Sequence, residues 1–377
     1  MAPRPGLRYH PPMRFKRWCG LALLALAAAF AAPRRAPAQT PALRIYFVDV
    51  EGGQSTLLVT PTGQSLLIDT GWPGFQDRDA ARIAAAAKAA GLSRIDFVLL
   101  THYHVDHAGG VPQLVAAIPV GTFIDHGPLR ETSPATVNAY NAYQQVLASG
   151  KYGHLTPNVG DVLPLTGVTA TVVSSDGKMI QRDLPGGGQP NRFCSTPDPW
   201  PADTSENERS LGVLVRLGQF TLLDVGDLVW NVDHGLVCPD NRLGPVSLLV
   251  MPNHGMIPGA SHALVEGTGP RVIVFDNGAH KGAAPDALDM ARATPGLEGL
   301  WQLHYADASA AHNAPAPFIA NLAEGQPRGA APARRGGAAP AYPGPDAAYD
   351  LEVTAGTSGA FSVLNPRTHQ TVTYPAH

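Results

Sequence analysis

Between Thr101 and Gly110 the chain reads Thr-His-Tyr-His-Val-Asp-His-Ala-Gly-Gly, placing His102, His104, Asp106 and His107 within six residues. Imidazole nitrogens and a carboxylate are donors that a borderline ion such as zinc takes, and three or four of them must converge on one point. A turn leaving a buried strand can aim closely spaced side chains in that way. Core packing has no use for four such groups. A divalent ion held there lowers the pKa of a bound water and polarises a carbonyl or phosphoryl oxygen, which is hydrolytic chemistry. The competing reading is a histidine-rich surface loop. Gly109 and Gly110, which let the backbone turn tightly, favour the strand-end turn.

A strand must precede that turn, and Ile95 to Leu100 is an apolar run of the kind buried on both faces of a sheet. Strands are also expected at Arg44 to Val50, Thr56 to Thr60, Ser65 to Asp69 and Thr122 to Asp125. Helices are expected from about Asp79 to Ala90, closed by Gly91, and around Pro112 to Ala117. The second half repeats the pattern, with strands at Val168 to Val173, Leu211 to Leu217, Phe220 to Val225, Ser247 to Val250 and Val272 to Phe275. A helix is expected from about Asp286 to Ala293. Two β-rich halves with helices outside imply an α/β protein built as an αββα sandwich, with the site on the loops of one edge.

Length fits one large domain or two ordinary ones, and composition allows a sizeable core: 377 residues, 44% hydrophobic and 15% charged. Residues 1–38 read as an export signal, with a basic stretch at Arg14, Lys16 and Arg17, an apolar run from Leu21 to Ala32 and a small-residue cleavage site at Ala36 to Ala38. That apolar run is too short to span a bilayer, so no membrane anchor is expected after cleavage and the mature protein is expected in the periplasm or secreted. Cleavage removes seven of the 27 cations and none of the 30 anions, leaving about −10. So acidic a chain offers no broad face for nucleic acid, and a small-molecule substrate is the expected partner. Residues 39–323 form the expected hydrolase domain, 324–346 an Ala/Pro/Gly-rich linker and 347–377 a small β-hairpin appendage. A Gly/Pro-rich stretch from Asp176 to Asn207 is longer than ordinary connections within a domain and is read as a functional loop. After cleavage Cys194 and Cys238 remain, and an even pair in an oxidising compartment points to a disulfide; two unpaired thiols are the alternative.

The histidine run, together with Leu66-Leu-Ile-Asp-Thr-Gly71, resembles the signature of the metallo-β-lactamase superfamily. That resemblance implies that His102 and His104 bind one metal and Asp106 and His107 a second, with about two zinc ions per chain. Zinc is preferred because His104 stands where iron-dependent flavoprotein members carry Glu. The resemblance further implies that Asp227, ending Leu222-Leu-Asp-Val-Gly-Asp227, bridges the metals and that His254, in Met251-Pro-Asn-His-Gly255, is the last ligand. Asp106 would also orient the attacking water. A narrower resemblance is to stand-alone relatives of the DNA-uptake competence proteins' metallo-β-lactamase domain. It rests on the run from Asp49 to Leu58, on Asn207-Glu-Arg-Ser210 and on Asn253-His254-Gly255. The chain departs from it with Gln54 in place of an acid and Asn253 in place of a histidine.

Many superfamily members supply a further histidine between the two halves, where this chain has Val173-Ser-Ser-Asp-Gly177. His126 at a strand end is the candidate substitute. His280 and His304 follow expected strands and could line the pocket, as could Asn207 and Asn253; His154 and His262 are lone histidines. The expectation is an exported metallohydrolase acting on a phosphodiester or a carboxylic ester or lactone, with a β-lactam as an alternative. The competing classes are a catalytically weak metal-binding protein of the same fold and a mononuclear iron oxygenase.

Overall fold

A computed structural model describes residues 1–2, 6, 11, 41–322 and 348–376. The expected signal peptide and the 324–346 linker fall outside these residues, apart from isolated positions in the former. In the first half β1 (Leu43–Phe47), β2 (Thr56–Val59) and β3 (Ser65–Ile68) run antiparallel. They continue in parallel into β4 (Ile95–Leu99), β5 (Val120–Ile124) and β6 (Gly153–Leu155). The helices of this half are α1 (Arg78–Ala89), α2 (Val105–Ala108), α3 (Val111–Ala117) and α4 (Pro134–Ala148).

The second half begins with β7 (Thr169–Ser175), β8 (Lys178–Met179), β9 (Gln189–Pro190), β10 (Gly212–Leu217) and β11 (Phe220–Asp224). After α5 (Trp230–Val237) come β12 (Asp240–Asn241), β13 (Leu248–Val250), α6 (His262–Val265), β14 (Val272–Phe275), α7 (Pro285–Ala293), β15 (Gly299–His304) and β16 (Ile319–Asn321). The second sheet has the order β16-β15-β14-β13-β11-β10-β7-β8, parallel from β11 to β16. A small β12-β9 ribbon carries part of the Asp176–Asn207 insertion.

Alternation along the strands builds four layers. Leu43, Ile45 and Phe47 point between the sheets and meet Val213, Val215, Leu222 and Trp301. Tyr46, Val48, Leu57 and Val98 face the other way, onto Ile83, Ala87 and Leu114 of α1 and α3. On the far side Leu214, Leu223, Leu249 and Ile273 pack under Leu236, Leu264 and Leu288 of α5, α6 and α7. The αββα sandwich expected from the sequence is the architecture observed.

The C-terminal residues correct one expectation. In place of a hairpin appendage, β17 (Leu351–Ala355), β18 (Phe361–Asn365) and β19 (Gln370–Tyr374) form a three-stranded meander that continues the first sheet, β17 pairing with β1. The first sheet is therefore ordered β19-β18-β17-β1-β2-β3-β4-β5-β6. The reason is physical: β1 would otherwise present an unpaired edge, and Leu351, Val353, Phe361 and Val363 complete the inter-sheet core. Trp301 Nε1 donates to Tyr374 Oη at 2.9 Å, tying the meander to the opposite sheet. Cys194 and Cys238 form a disulfide with Cα atoms 5.7 Å apart, fastening the insertion to the end of α5. Among the described residues no helix is long and apolar enough to cross a membrane.

Candidate metal centre

The candidate ligands lie beyond the C-terminal ends of β4, β11 and β13, on the edge where parallel strands of both sheets stop, as ligands do in open α/β sheets. His102 follows β4 almost at once, and α2 starts at Val105, so Asp106 and His107 project from its first turn. Gly109 and Gly110 keep helical dihedrals, φ −64° and −76°. They serve close approach rather than a tight turn, since a Cβ on Gly110 would strike the Thr70 carbonyl oxygen. Gly226, at φ 55°, brings the Asp227 loop onto Thr101; a Cβ there would lie 2.6 Å from Thr101 Cβ. Asn253 and His254 both adopt φ 54°, a left-handed conformation that costs non-glycine residues about 1–3 kcal/mol each. The turn is held by Asn253 N donating to Gly226 O at 3.1 Å and Asn253 Nδ2 donating to Pro258 O at 2.8 Å. Asn253 thus shapes the turn that presents His254.

Two groups of donors result, sharing Asp227: Asp106, His107, Asp227 and His254 in one, and His102, His104 and Asp227 in the other. In the first, His107 Nε2 and His254 Nε2 are 3.2 Å apart. Asp227 Oδ1 is 3.3 Å from each of them, and Asp106 Oδ2 is 3.4 and 3.3 Å from His107 and His254. A tetrahedral ion with bonds of about 2.0–2.1 Å separates its ligand atoms by about 3.3–3.4 Å. The four atoms therefore fit such an ion. Asp227 Oδ1 is buried without a hydrogen-bond donor, a state that metal ligation accounts for. In the second group His102 Nε2 lies 3.0 Å from His104 Nδ1 and 3.9 Å from Asp227 Oδ2.

Electrostatics agree with a site built for cations. Burial opposes charge on Asp106, but Lys281 and His107 outweigh it and hold its carboxyl well below the usual range. Asp227 is likewise held low against burial by His107 and His254. Burial also disfavours protonated His107 and His254, yet the carboxylates, Asp227 foremost, push His107 well up and His254 up to about 10. Burial, with His107 and His104 beside it, drives the His102 pKa well below its ordinary value.

The ring orientations are set from behind. Asp69 Oδ2 accepts from His107 Nδ1 at 2.7 Å and from Thr101 Oγ1 at 2.7 Å, while Thr101 Oγ1 lies 3.0 Å from His102 Nδ1. His254 Nδ1 is 3.3 Å from Asp276 Oδ1. His104 Nε2 is 2.9 Å from Glu131 Oε2. Burial pushes Glu131 up, but hydrogen bonds from Ser133, from Glu206 N and from His104 bring it down to about 2. Lys281 contacts Asp106 Oδ2 and lies 5.2 Å from the centre of the Trp72 ring.

The remaining candidates fall elsewhere. His126 is not in either donor group: its Nε2 lies 2.8 Å from Glu206 Oε1 in a buried pair. Asn207 Nδ2 donates to Asp203 Oδ2 at 3.1 Å. His280 is exposed, 3.3 Å from Asp307 Oδ2. His304 Nε2 bonds Asp49 Oδ1 at 2.6 Å, with Arg82 3.1 Å from Asp49 Oδ2, so this cluster ties the end of β15 to the end of β1. His154 pairs with Asp125 at 2.8 Å and His262 with Glu266 at 2.6 Å. Gln54 Nε2 donates to both oxygens of Asp224, at 2.7 and 2.8 Å.

Residues 49–188 match the sequence profile of the Metallo-beta-lactamase superfamily. The chain carries the metallo-β-lactamase fold. The matched segment contains His102, His104, Asp106 and His107, and the donor groups form a candidate metal site. A hydroxyacylglutathione hydrolase of Stenotrophomonas maltophilia is 35% identical over 99 residues, 26% of this chain. A coenzyme F420H(2) oxidase of Methanothermobacter marburgensis is 29% identical over 109 residues, 29% of this chain. The matches span 35% and 25% of those relatives' own lengths. The crystal structure of the metallo-beta-lactamase fold protein YhfI from Bacillus subtilis aligns over 70% of this chain and 96% of its own, with a TM-score of 0.43 and 13% identity.

Sequence reading missed Lys281, Glu131, Asp276 and the orienting role of Asp69. Asp69 lies inside the Leu66–Gly71 run. Ser133-Pro134, an N-cap followed by Pro at the first helical position, signals α4 and hence the segment that fixes Glu131. Lys281 and Asp276 carry no local signal.

Proposed function

We propose that the chain is an exported zinc-dependent hydrolase that cleaves a carboxylic ester-like bond, a lactone or acyl ester ahead of a phosphodiester. The observation that carries this is the convergence of Asp106 Oδ2, His107 Nε2, Asp227 Oδ1 and His254 Nε2 at 3.2–3.4 Å, beside His102 and His104. Nitrogen and carboxylate donors in a tetrahedral arrangement suit zinc. When bound there, divalent ions supply Lewis acidity and bring the pKa of a coordinated water near neutrality. The chain's own residues do the rest. Asp227 is shared by both donor groups and holds them in register. Asp106 offers a carboxylate that can orient the attacking water. Lys281, beside Asp106 and Trp72, can place positive charge near a leaving oxygen that gains negative charge.

Acyl substrates are favoured by the relatives named as hydroxyacylglutathione hydrolases and by the acidity expected of the mature chain, which disfavours polyanions. Gln54 and Asn253, spent on Asp224 and on the His254 turn, depart from the competence-type pattern. The Cys194–Cys238 disulfide supports an oxidising, exported setting.

The test is a hydrolysis panel of an acyl lactone, an acyl thioester, bis-p-nitrophenyl phosphate and a chromogenic cephalosporin, each with and without chelator. Chelator-sensitive turnover of the lactone or thioester is expected. Turnover of the phosphodiester or cephalosporin alone would overturn the substrate class. Bound iron with oxygen consumption and no hydrolysis would overturn the reaction.

A further inference from the structure

Three of the four histidines at the centre present Nε2, and each has its Nδ1 beside a nearby oxygen: Thr101 Oγ1 at 3.0 Å from His102, Asp69 Oδ2 at 2.7 Å from His107 and Asp276 Oδ1 at 3.3 Å from His254. His104 is reversed. Its Nδ1 faces His102 Nε2 at 3.0 Å, so any group that fixes its tautomer must act on Nε2. That group is Glu131, whose Oε2 lies 2.9 Å from His104 Nε2. Glu131 is itself fixed: Oε1 accepts from Thr136 Oγ1 at 3.1 Å in the first turn of α4, and Oε2 accepts from Glu206 N at 3.0 Å. Glu206 is held in turn by Arg130 N at 3.3 Å and stands 2.8 Å from His126 Nε2. His126 thus reaches the centre at third hand, and the end of the Asp176–Asn207 insertion is built into the support of one ligand.

We propose that Glu131 is a positioning residue for the His102/His104/Asp227 donor group, holding the proton of His104 on Nε2 so that Nδ1 is the ligand atom and thereby setting how tightly that group binds a metal. The effect is concentrated there because this group has three donors, one of them shared, against four in its neighbour. A site with fewer protein ligands depends more on the placement of each. Loss of such an orienting carboxylate typically weakens metal affinity about 10- to 100-fold.

The inference rests on the metallohydrolase reading only in requiring metal. Wild type, Glu131→Gln and Glu131→Ala are titrated with zinc against a chromophoric chelator, and the tautomer of His104 is read from imidazole ¹H–¹⁵N spectra of the metal-free proteins. Wild type is expected to show two dissociation constants and Nε2–H at His104. Glu131→Ala should weaken the looser constant about 10- to 100-fold, change the tighter one by less than about threefold and mix the tautomer. Glu131→Gln, whose carbonyl still accepts from Nε2–H, should recover most of the loss. Equal weakening of both constants, no weakening, or an unchanged tautomer in Glu131→Ala overturns the proposal. A wild type that binds two ions but hydrolyses nothing overturns the hydrolase reading alone; one that binds none overturns both.

Discussion

Asp69 orients two histidines through one oxygen, directly at His107 and through Thr101 at His102, while its Oδ1 accepts from Thr101 N at 2.8 Å. Asp69→Asn removes the charge that sets these tautomers, and zinc affinity measured by chelator competition should fall about 10- to 100-fold with the fold intact. A second residue-scale prediction concerns Asp224, buried and pushed up to about 7 chiefly by desolvation. Its unfolded value is near 3.8, so between the two the folded state binds a proton that the unfolded state does not. Asp224 should therefore contribute a loss of stability to the metal-free protein as pH rises from about 4 to about 7, and Asp224→Asn should remove that contribution from the pH dependence of urea unfolding. At this scale the sequence showed what lay close together. His102 to His107 were legible because a strand end displays them in one turn, and Asp227 and His254 through resemblance. Lys281 and Glu131 were not, because single charged residues 175 and 27 positions from their partners carry no periodic or local sign.

Among the elements, the strands with mostly apolar runs were legible to within a residue or two, and Ile95 to Leu100 matches β4 closely. α4 was not, since its buried Thr136, Ala139 and Tyr143 make a sparse stripe among polar residues. The C-terminal meander looks like an appendage in the sequence because alternation gives a strand's faces and not its neighbour. β17 covers the edge of β1, so a chain truncated after residue 346 should lose cooperative unfolding and precipitate on expression. The disulfide closes a loop of sequence separation 44. The Cys194→Ala/Cys238→Ala variant should lose about 2–4 kcal/mol in urea unfolding.

For the molecule as a whole, the centre exists only where the two sheets meet. The first half supplies His102, His104, Asp106 and His107 from beyond β4, and the second supplies Asp227 and His254 from beyond β11 and β13. The inter-sheet core that holds these ends together runs from Leu43 to Tyr374. The most direct test of the account is the metal-to-protein ratio, by mass spectrometry, of purified wild type beside Asp227→Ala. About two zinc ions per chain in wild type, and fewer than about one in the variant that lacks the shared carboxylate, are predicted. A metal-free wild type, or a variant that keeps both ions, would contradict it.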